Sequence, residues 1–262
     1  MKKFVHDFEV VSNSRLNAQH FVLKLRCSEK LPTILSGQFA EVRIDKSFTT
    51  YLRRPFSIHD VDYDQNTISF LVKLVGEGTS KLVTLATGDL ANIVYPLGNG
   101  FSLPTGDKVL LVGGGCGVAP LLMLAKHLHK NGISITTLMG GRSKDDILQR
   151  EEYLKLGEVL ITTEDGSLGE KGMVTEHSLF SESLLGYSQV YTCGPEPMMK
   201  AIAAIAAGEA IPCQVSLENT MACGIGVCLC CVVETLDGNK CVCTEGPVFD
   251  PDYLTNWGAV VC

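Results

Sequence analysis

The sequence predicts an antiparallel β-barrel, then a doubly wound parallel α/β sheet, then a small cysteine-rich module. Short strand-like segments run to about residue 102, strand and helix patterns alternate over 103–212, and eight of the 11 cysteines fall from Cys213 onward. A chain of 262 residues can bury a real core and suggests about two domains by length alone. With 45% hydrophobic and 19% charged residues it is globular rather than disordered. A net charge of −7 argues against nucleic acid as a partner, because phosphate backbones call for a basic surface.

The first region, 1–102, contains FEVVSNSRL, HFVLKLRC, GQFAEVRI, RPFSIHDV, TISFLVKLV and GDLANIVYPLG. β-branched and aromatic residues alternate there with polar ones, and Asn13, Gly37, Asp64–Asn66 and Gly88–Asp89 mark turns. GNGFSLPTGD (98–107) is Gly- and Pro-rich and suits a domain boundary. KVLLVGG then reads as a buried strand, and PLLMLAKHLHKNG as a helix with Pro120 at its start and Gly132 past its end. ISITTLMGG is a strand, DDILQREEYLKLG a helix and EVLITTEDG a strand; SQVYTCG and PEPMMKAIAAIAAG repeat the alternation. Strand–helix repetition of this kind implies a parallel sheet over 103–212. From 213 to 262 the periodicity fades.

The N-terminus, MKKFVHDFEVVSNSR, places His6, Asp7 and Glu9 where a signal peptide needs an apolar run. No stretch approaches the ~18 apolar residues of a membrane span. The expectation is a cytoplasmic chain with reduced thiols, in which clustered cysteines hold metal rather than form disulfides.

MACGIGVCLCC (221–231) supplies the cluster. Cys223-x4-Cys228-x2-Cys231, followed by Cys243, matches the spacing of plant-type 2Fe–2S ferredoxins. Four thiolates must converge on two irons, and Gly224 and Gly226 let the loop pass close to the sulfides. Cys230 and Cys241 lie off the pattern. A zinc site of Cys228, Cys231, Cys241 and Cys243 is the alternative, and it leaves Cys223 and the glycines without a role. A zinc-stabilised, non-catalytic nucleotide-binding protein is the corresponding alternative function.

LLVGGGCGVAP (110–120) follows a strand and opens a helix, the context for a phosphate-binding turn. Gly113, Gly114, Gly115 and Gly117 are its candidates, although Val118 and Pro120 stand where G-x-G-x-x-G would place a third glycine. YTCGPEPMM (191–199) delivers Cys193, Gly194 and Pro195 at a second strand end.

The order of these pieces resembles the ferredoxin–NADP+ reductase superfamily over the whole chain. The resemblance implies an FAD-binding barrel in which Arg54-Pro55-Phe56-Ser57, preceded by Arg53, holds the flavin. An arginine fork suits its pyrophosphate. It implies that Gly76, Gly78, Thr79 and Ser80 of FLVKLVGEGTS hold FAD phosphate while Phe70, Leu71 and Val72 line the cofactor. GGGCGVAP and CGPEPM would hold the nicotinamide nucleotide, with Cys193 at the hydride-transfer locus as a positioning group. Arg142, Lys144 and Asp145 stand together after the second strand, so NAD versus NADP stays open.

Within that superfamily, MACGIGVC…CVCTEGPVF is similar to the electron-transfer subunits of class B dihydroorotate dehydrogenases. Their Cys-x-x-Gly-Pro-Val-Phe ending, here Cys243 to Phe249, selects Cys243 over Cys241 as fourth ligand. The resemblance implies FAD, a 2Fe–2S cluster, NAD(H) as co-substrate, and a partner subunit that contains FMN and oxidises dihydroorotate to orotate in pyrimidine biosynthesis. It further implies a heterotetramer of two copies of each subunit. Sibling reductase subunits of ferredoxin:NAD(P) oxidoreductases, sulfide dehydrogenases or hydrogenases are the nearer alternative. The residues agree on the need for a partner: no organic-substrate constellation is visible, and the six histidines are scattered.

Overall fold

The structure is a computed structural model and describes residues 2–45, 47, 49–181 and 183–256. Its first layer is a seven-stranded antiparallel sheet of β1 (Phe4–Arg15), β2 (His20–Cys27), β3 (Phe39–Val42), β4 (Arg54–Ser57), β5 (Asp60–Asp62), β6 (Thr67–Lys73) and β7 (Leu90–Leu97), in the order β4-β3-β7-β1-β2-β6-β5. The sheet curls into a half-barrel because its two edge strands are separated by only Ile58 and His59. The Ile58 N–H donates to the Gln38 carbonyl at 2.9 Å and the His59 N–H to that of Ser69 at 2.9 Å, so the chain itself joins the edges. Alternation drives the curl: Phe21, Leu23 and Leu25 are fully buried, whereas Arg26 is exposed and Lys24 half-buried. Asn13, expected in a turn, lies inside β1. Its side-chain amide donates to the carbonyls of Leu82 and Leu85, so the asparagine ties the barrel wall to the short helix α1 (Glu77–Leu82).

The second layer is a seven-stranded sheet ordered β11-β10-β9-β8-β12-β13-β16. It comprises β8 (Lys108–Gly114), β9 (Ser134–Gly141), β10 (Glu158–Thr163), β11 (Glu170–Lys171), β12 (Gln189–Cys193) and β13 (Cys213–Ser216), all parallel, with β16 (Val248–Phe249) added antiparallel. Helices α2 (Ala119–Lys130) and α4 (Glu196–Gly208) pack on it, as the alternation predicts. DDILQREEYLKLG forms less helix than expected: α3 covers only Arg150–Leu154. The reason is local. Asp146 turns its carboxylate back onto the Arg142 backbone N–H (3.2 Å) and guanidinium (3.1 Å), Ile147 is extended, and Gln149 is left-handed at φ 58°.

Two contacts lock the sheet to the barrel: Lys126 pairs with Asp60 at 2.7 Å, and buried His59 places Nδ1 2.9 Å from the Ala119 carbonyl in the first turn of α2. The cysteine-rich module adds the hairpin β14 (Val232–Thr235) and β15 (Gly238–Cys241), the turn α5 (Val242–Glu245) and β17 (Leu254–Asn256). The nucleotide sheet runs on past residue 212, because β13 and β16 both belong to it. No helix among the described residues is long and apolar enough to cross a membrane.

Candidate functional site

Two cavities of about 570 and 590 Å³ meet where the barrel faces the C-terminal ends of the parallel strands. This is where open α/β sheets bind ligands. Lys73, Cys116 and Glu218 line both cavities and form their common wall.

The barrel-side cavity is built by β4, β6 and α1. It is lined by Arg54, Pro55, Phe56 and Ser57, by Leu71, and by Gly76, Gly78 and Thr79. Phe70 and Val72, expected along the cofactor, point the other way into the barrel core, as strand alternation requires of the neighbours of Leu71. Ser80 is exposed outside the cavity. Arg53 also turns away, donating to the carbonyls of Glu41 (3.3 Å) and Asn92 (3.0 Å) and to Asn92 Oδ1 (2.5 Å). It braces the strands, while Arg54 is the guanidinium in the cavity. Leu217, Asn219, Thr220, Met221 and Pro247 complete the wall, so the segment entering the cysteine loop crosses the same cavity.

The sheet-side cavity is lined by Gly114, Gly115 and Gly117 of the first turn and by Gly194 and Pro195 of the second. Gly113 lies beneath, against Val118 and Leu121. Gly117 is required by close approach, because a Cβ there would run into the Cys193 carbonyl. Cys193 is fully buried at the end of β12 and lines neither cavity. Burial and the nearby Glu218 carboxylate push its thiol well up, so it stays protonated and is no nucleophile. Burial also raises Cys116, to about 12, with Glu218 adding to the shift.

Glu218 follows β13 and lines the crevice with its side chain open to it; desolvation pushes its carboxyl up and the Lys73 ammonium pulls it down. Sequence reading missed Lys73, Cys116 and Glu218, although Glu218 could have been found from its place just past a parallel strand's carboxyl end. Arg142 and Asp146 also line this cavity, whereas Lys144 and Asp145 do not. The acid that turns in is thus Asp146, and it occupies the Arg142 guanidinium.

The four expected cluster ligands gather in twos. The Cys223 and Cys228 thiols hydrogen-bond to each other, and so do those of Cys231 and Cys243. Among the described residues, no three His, Cys, Asp or Glu side chains are grouped around one ion position. Four thiols held close in two pairs fit the donor set of a two-iron cluster.

Backbone N–H groups converge on the sulfurs. Ile225 (3.4 Å), Val227 (3.4 Å) and Cys228 (3.5 Å) donate to Cys223, Gly226 donates to Cys243 (3.1 Å), and Cys243 donates to Cys231 (3.4 Å). Burial pushes the Cys223 thiol up, but the donors led by Ile225 outweigh it and bring it to about 6. A loop that stabilises thiolate fits a metal–sulfur group. Cys241 also touches the Cys231 sulfur, yet its own N–H goes to the Glu245 carboxylate at 2.8 Å. The Gly246–Phe249 segment docks the module on both neighbours: Asn99 N–H donates to the Gly246 carbonyl (2.5 Å), Leu217 N–H donates to that of Pro247 (2.9 Å), and Phe249 pairs with Val215.

Comparison with known proteins assigns the family. Residues 218–255 match the iron–sulfur cluster binding domain of dihydroorotate dehydrogenase B, and 111–204 match the oxidoreductase NAD-binding domain. The chain is 38% identical over 252 residues to the electron transfer subunit of dihydroorotate dehydrogenase B (NAD(+)) from Fusobacterium nucleatum, covering 94% of this chain and 96% of that one. The counterpart from Caldanaerobacter subterraneus is 41% identical, covering 92% and 94%. The chain belongs to the family of dihydroorotate dehydrogenase B electron transfer subunits. It is an NAD-dependent oxidoreductase subunit of that family and works with a catalytic subunit. A solved NADH-dependent reduced ferredoxin-NADP oxidoreductase superposes with a TM-score of 0.85 at 30% identity, covering 95% of this chain and 90% of that one. A ferredoxin reductase of carbazole 1,9a-dioxygenase, at 21% identity and a TM-score of 0.70, shares the fold over 81% of this chain and 68% of its own length.

In this dihydroorotate dehydrogenase B subunit the barrel-side cavity fits FAD, since Arg54 faces a space bounded by the Gly76–Thr79 turn. Arg54→Ala removes a charged hydrogen-bond donor worth about 1.5–3 kcal/mol, or ~10- to 100-fold in affinity. The variant is expected to lose FAD on dilution and gel filtration, read as the flavin-to-protein absorbance ratio. Stoichiometric retention would show that Arg54 is not the anchor.

Proposed function

We propose that this chain carries electrons from a catalytic partner that contains FMN and oxidises dihydroorotate to orotate, and delivers them to NAD+. The complex is a cytoplasmic heterotetramer of two copies of each subunit. The observation that supports this most is the shared wall of Lys73, Cys116 and Glu218, which brings a nicotinamide site and a flavin site edge to edge. FAD, when bound, supplies the exchange between the electron pair of a nicotinamide and the single electrons of an iron–sulfur cluster.

The chain's own residues hold and orient these groups. Arg54, Ser57 and the Gly76–Thr79 turn bind FAD. The glycines of the first turn and the N-terminus of α2 receive the dinucleotide pyrophosphate, and Gly117 lets the two strand ends close on each other. Cys193 lies buried beneath Gly117, and Lys73 and Glu218 fix the charge at the junction. Cys223, Cys228, Cys231 and Cys243 hold the cluster. Ile225, Val227 and Leu229, all exposed in the cysteine loop, give it an apolar outer face for the partner.

Mixing the purified chain with its catalytic subunit tests the reading. The chain alone is expected to oxidise NADH with an artificial acceptor and leave dihydroorotate untouched; the mixture is expected to reduce NAD+ with dihydroorotate. Failure of the mixture, with reduction of a ferredoxin instead, would transfer the chain to the sibling reductases.

Asp146 sets the coenzyme. A carboxylate that occupies Arg142 and lines the nucleotide cavity favours a free 2′-hydroxyl and repels a 2′-phosphate. Asp146→Ser frees Arg142 and is expected to raise NADPH use relative to NADH by about tenfold or more, on the order of 1.4 kcal/mol. An unchanged kcat/KM ratio for the two coenzymes would place discrimination elsewhere.

A further inference from the structure

The strand that carries the flavin motif lies against β3, and β3 holds a carboxyl with no apparent use in the barrel. Glu41 is 1% exposed, and neither of its carboxyl oxygens has a hydrogen-bond partner. A buried, unsatisfied carboxyl costs stability, so its position calls for an account. The obvious compensating groups are engaged elsewhere. Arg53 donates to the Glu41 and Asn92 backbone carbonyls and the Asn92 amide oxygen, and Arg54 donates to the carbonyls of Leu52 (3.0 Å) and Arg53 (3.2 Å).

The side chain instead abuts the cysteine loop. Gly224 is left-handed, at φ 65°, and a Cβ built on it would stand 2.8 Å from Glu41 Cγ and 3.3 Å from Oε1. Glycine at 224 therefore satisfies two demands at once, the turn and the room for this carboxyl. Across β3, Glu41 is in register with Pro55 of the flavin strand. The carboxyl thus stands between the flavin motif and the residue next to Cys223.

We infer that Glu41 is a positioning residue that lowers the reduction potential of the cluster held by the Cys223 loop, by placing a buried carboxyl, ionised in alkaline medium, against it. The inference rests on the cluster assignment proposed above. Fe–S potentials follow net charge, hydrogen bonds to sulfur and solvent exposure. The N–H donors to Cys223 raise the potential, and a buried negative charge, offset in part by the Arg53 and Arg54 guanidiniums, opposes the added electron.

The experiment is a potentiometric titration of the cluster's electron-paramagnetic signal in the intact complex, in alkaline buffer, for wild type, Glu41→Gln, Glu41→Met and Glu41→Asp. The expected result is an upward shift of the cluster midpoint in both neutral variants, a midpoint near wild type in Glu41→Asp, and unchanged flavin content throughout. Wild-type midpoints in the neutral variants overturn the inference. So does an equal shift in Glu41→Asp, which would mean shape rather than charge. Loss of the cluster from both neutral variants also overturns it and makes Glu41 a structural support of the loop. Failure of the ligand assignment itself is read separately, as a normal signal in Cys223→Ser.

Discussion

Serine at Cys223, Cys228, Cys231 or Cys243 is expected to abolish or strongly alter the electron-paramagnetic signal of the reduced 2Fe–2S cluster, while serine at Cys230 or Cys241 leaves it in place. The pairing of Cys223 with Cys228 and of Cys231 with Cys243 would give each iron two thiols. The backbone decides between Cys243 and Cys241. Gly226 aims its N–H at the Cys243 sulfur, and Cys243 is 1% exposed between the loop and the module core. Cys241 sits at the end of β15 with its N–H on Glu245. Serine replaces a soft thiolate by a hard oxygen and leaves the surrounding N–H donors aimed at the wrong atom, so the signal is lost or strongly altered. Loss of signal in Cys241→Ser with a normal Cys243→Ser would reverse the assignment.

The complex assembled with Cys223→Ser is expected to lose dihydroorotate-dependent NAD+ reduction and to keep NADH oxidation by an artificial acceptor. The two activities are expected to separate because the sheet-side cavity shares its wall with the barrel-side cavity, while the cysteine loop reaches the barrel-side cavity through Asn219–Met221 and Pro247. Substituting a loop cysteine leaves Lys73, Cys116 and Glu218 untouched. Stopped-flow absorbance at flavin and cluster wavelengths reads both steps. A wild-type rate from dihydroorotate to NAD+ in the variant complex would reduce the cysteine module to a structural role.

Much of this architecture is legible in the sequence, because burial leaves period-two and continuous apolar patterns that have few alternatives. KVLLVGG and QVYTC could hardly be anything but central strands, and β8 and β12 are buried almost throughout. What escapes the sequence is decided by contacts distant along the chain. Asn13 reads as a turn residue until Leu82 and Leu85 supply carbonyls for its amide. The helix expected over DDILQREEYLKLG shortens because Asp146 is drawn to Arg142. Val248 and Phe249 carry no strand signal of their own; β13 makes them a strand.

The same division holds at the site. Motif residues such as Arg54, Ser57 and Gly114 are local signatures, and the cavities collect them. Lys73, Cys116 and Glu218 become partners only when barrel, turn and sheet end converge. Within a motif, direction is the hidden variable: Leu71 faces the cavity, while Phe70 and Val72 face the core.

The antiparallel strand β16 also sets when the nucleotide sheet can be completed during synthesis. Residues 108–216 leave the ribosome with one flank of their sheet open, since the strand that covers β13 is encoded more than thirty residues later, at Val248–Phe249. Until then β13 presents bare N–H and C=O groups that can template the wrong neighbour. Translation must therefore pass through the whole cysteine loop before the preceding domain can close, and a nascent chain that stalls within the loop is left with both an unfilled thiol nest and an unsealed sheet.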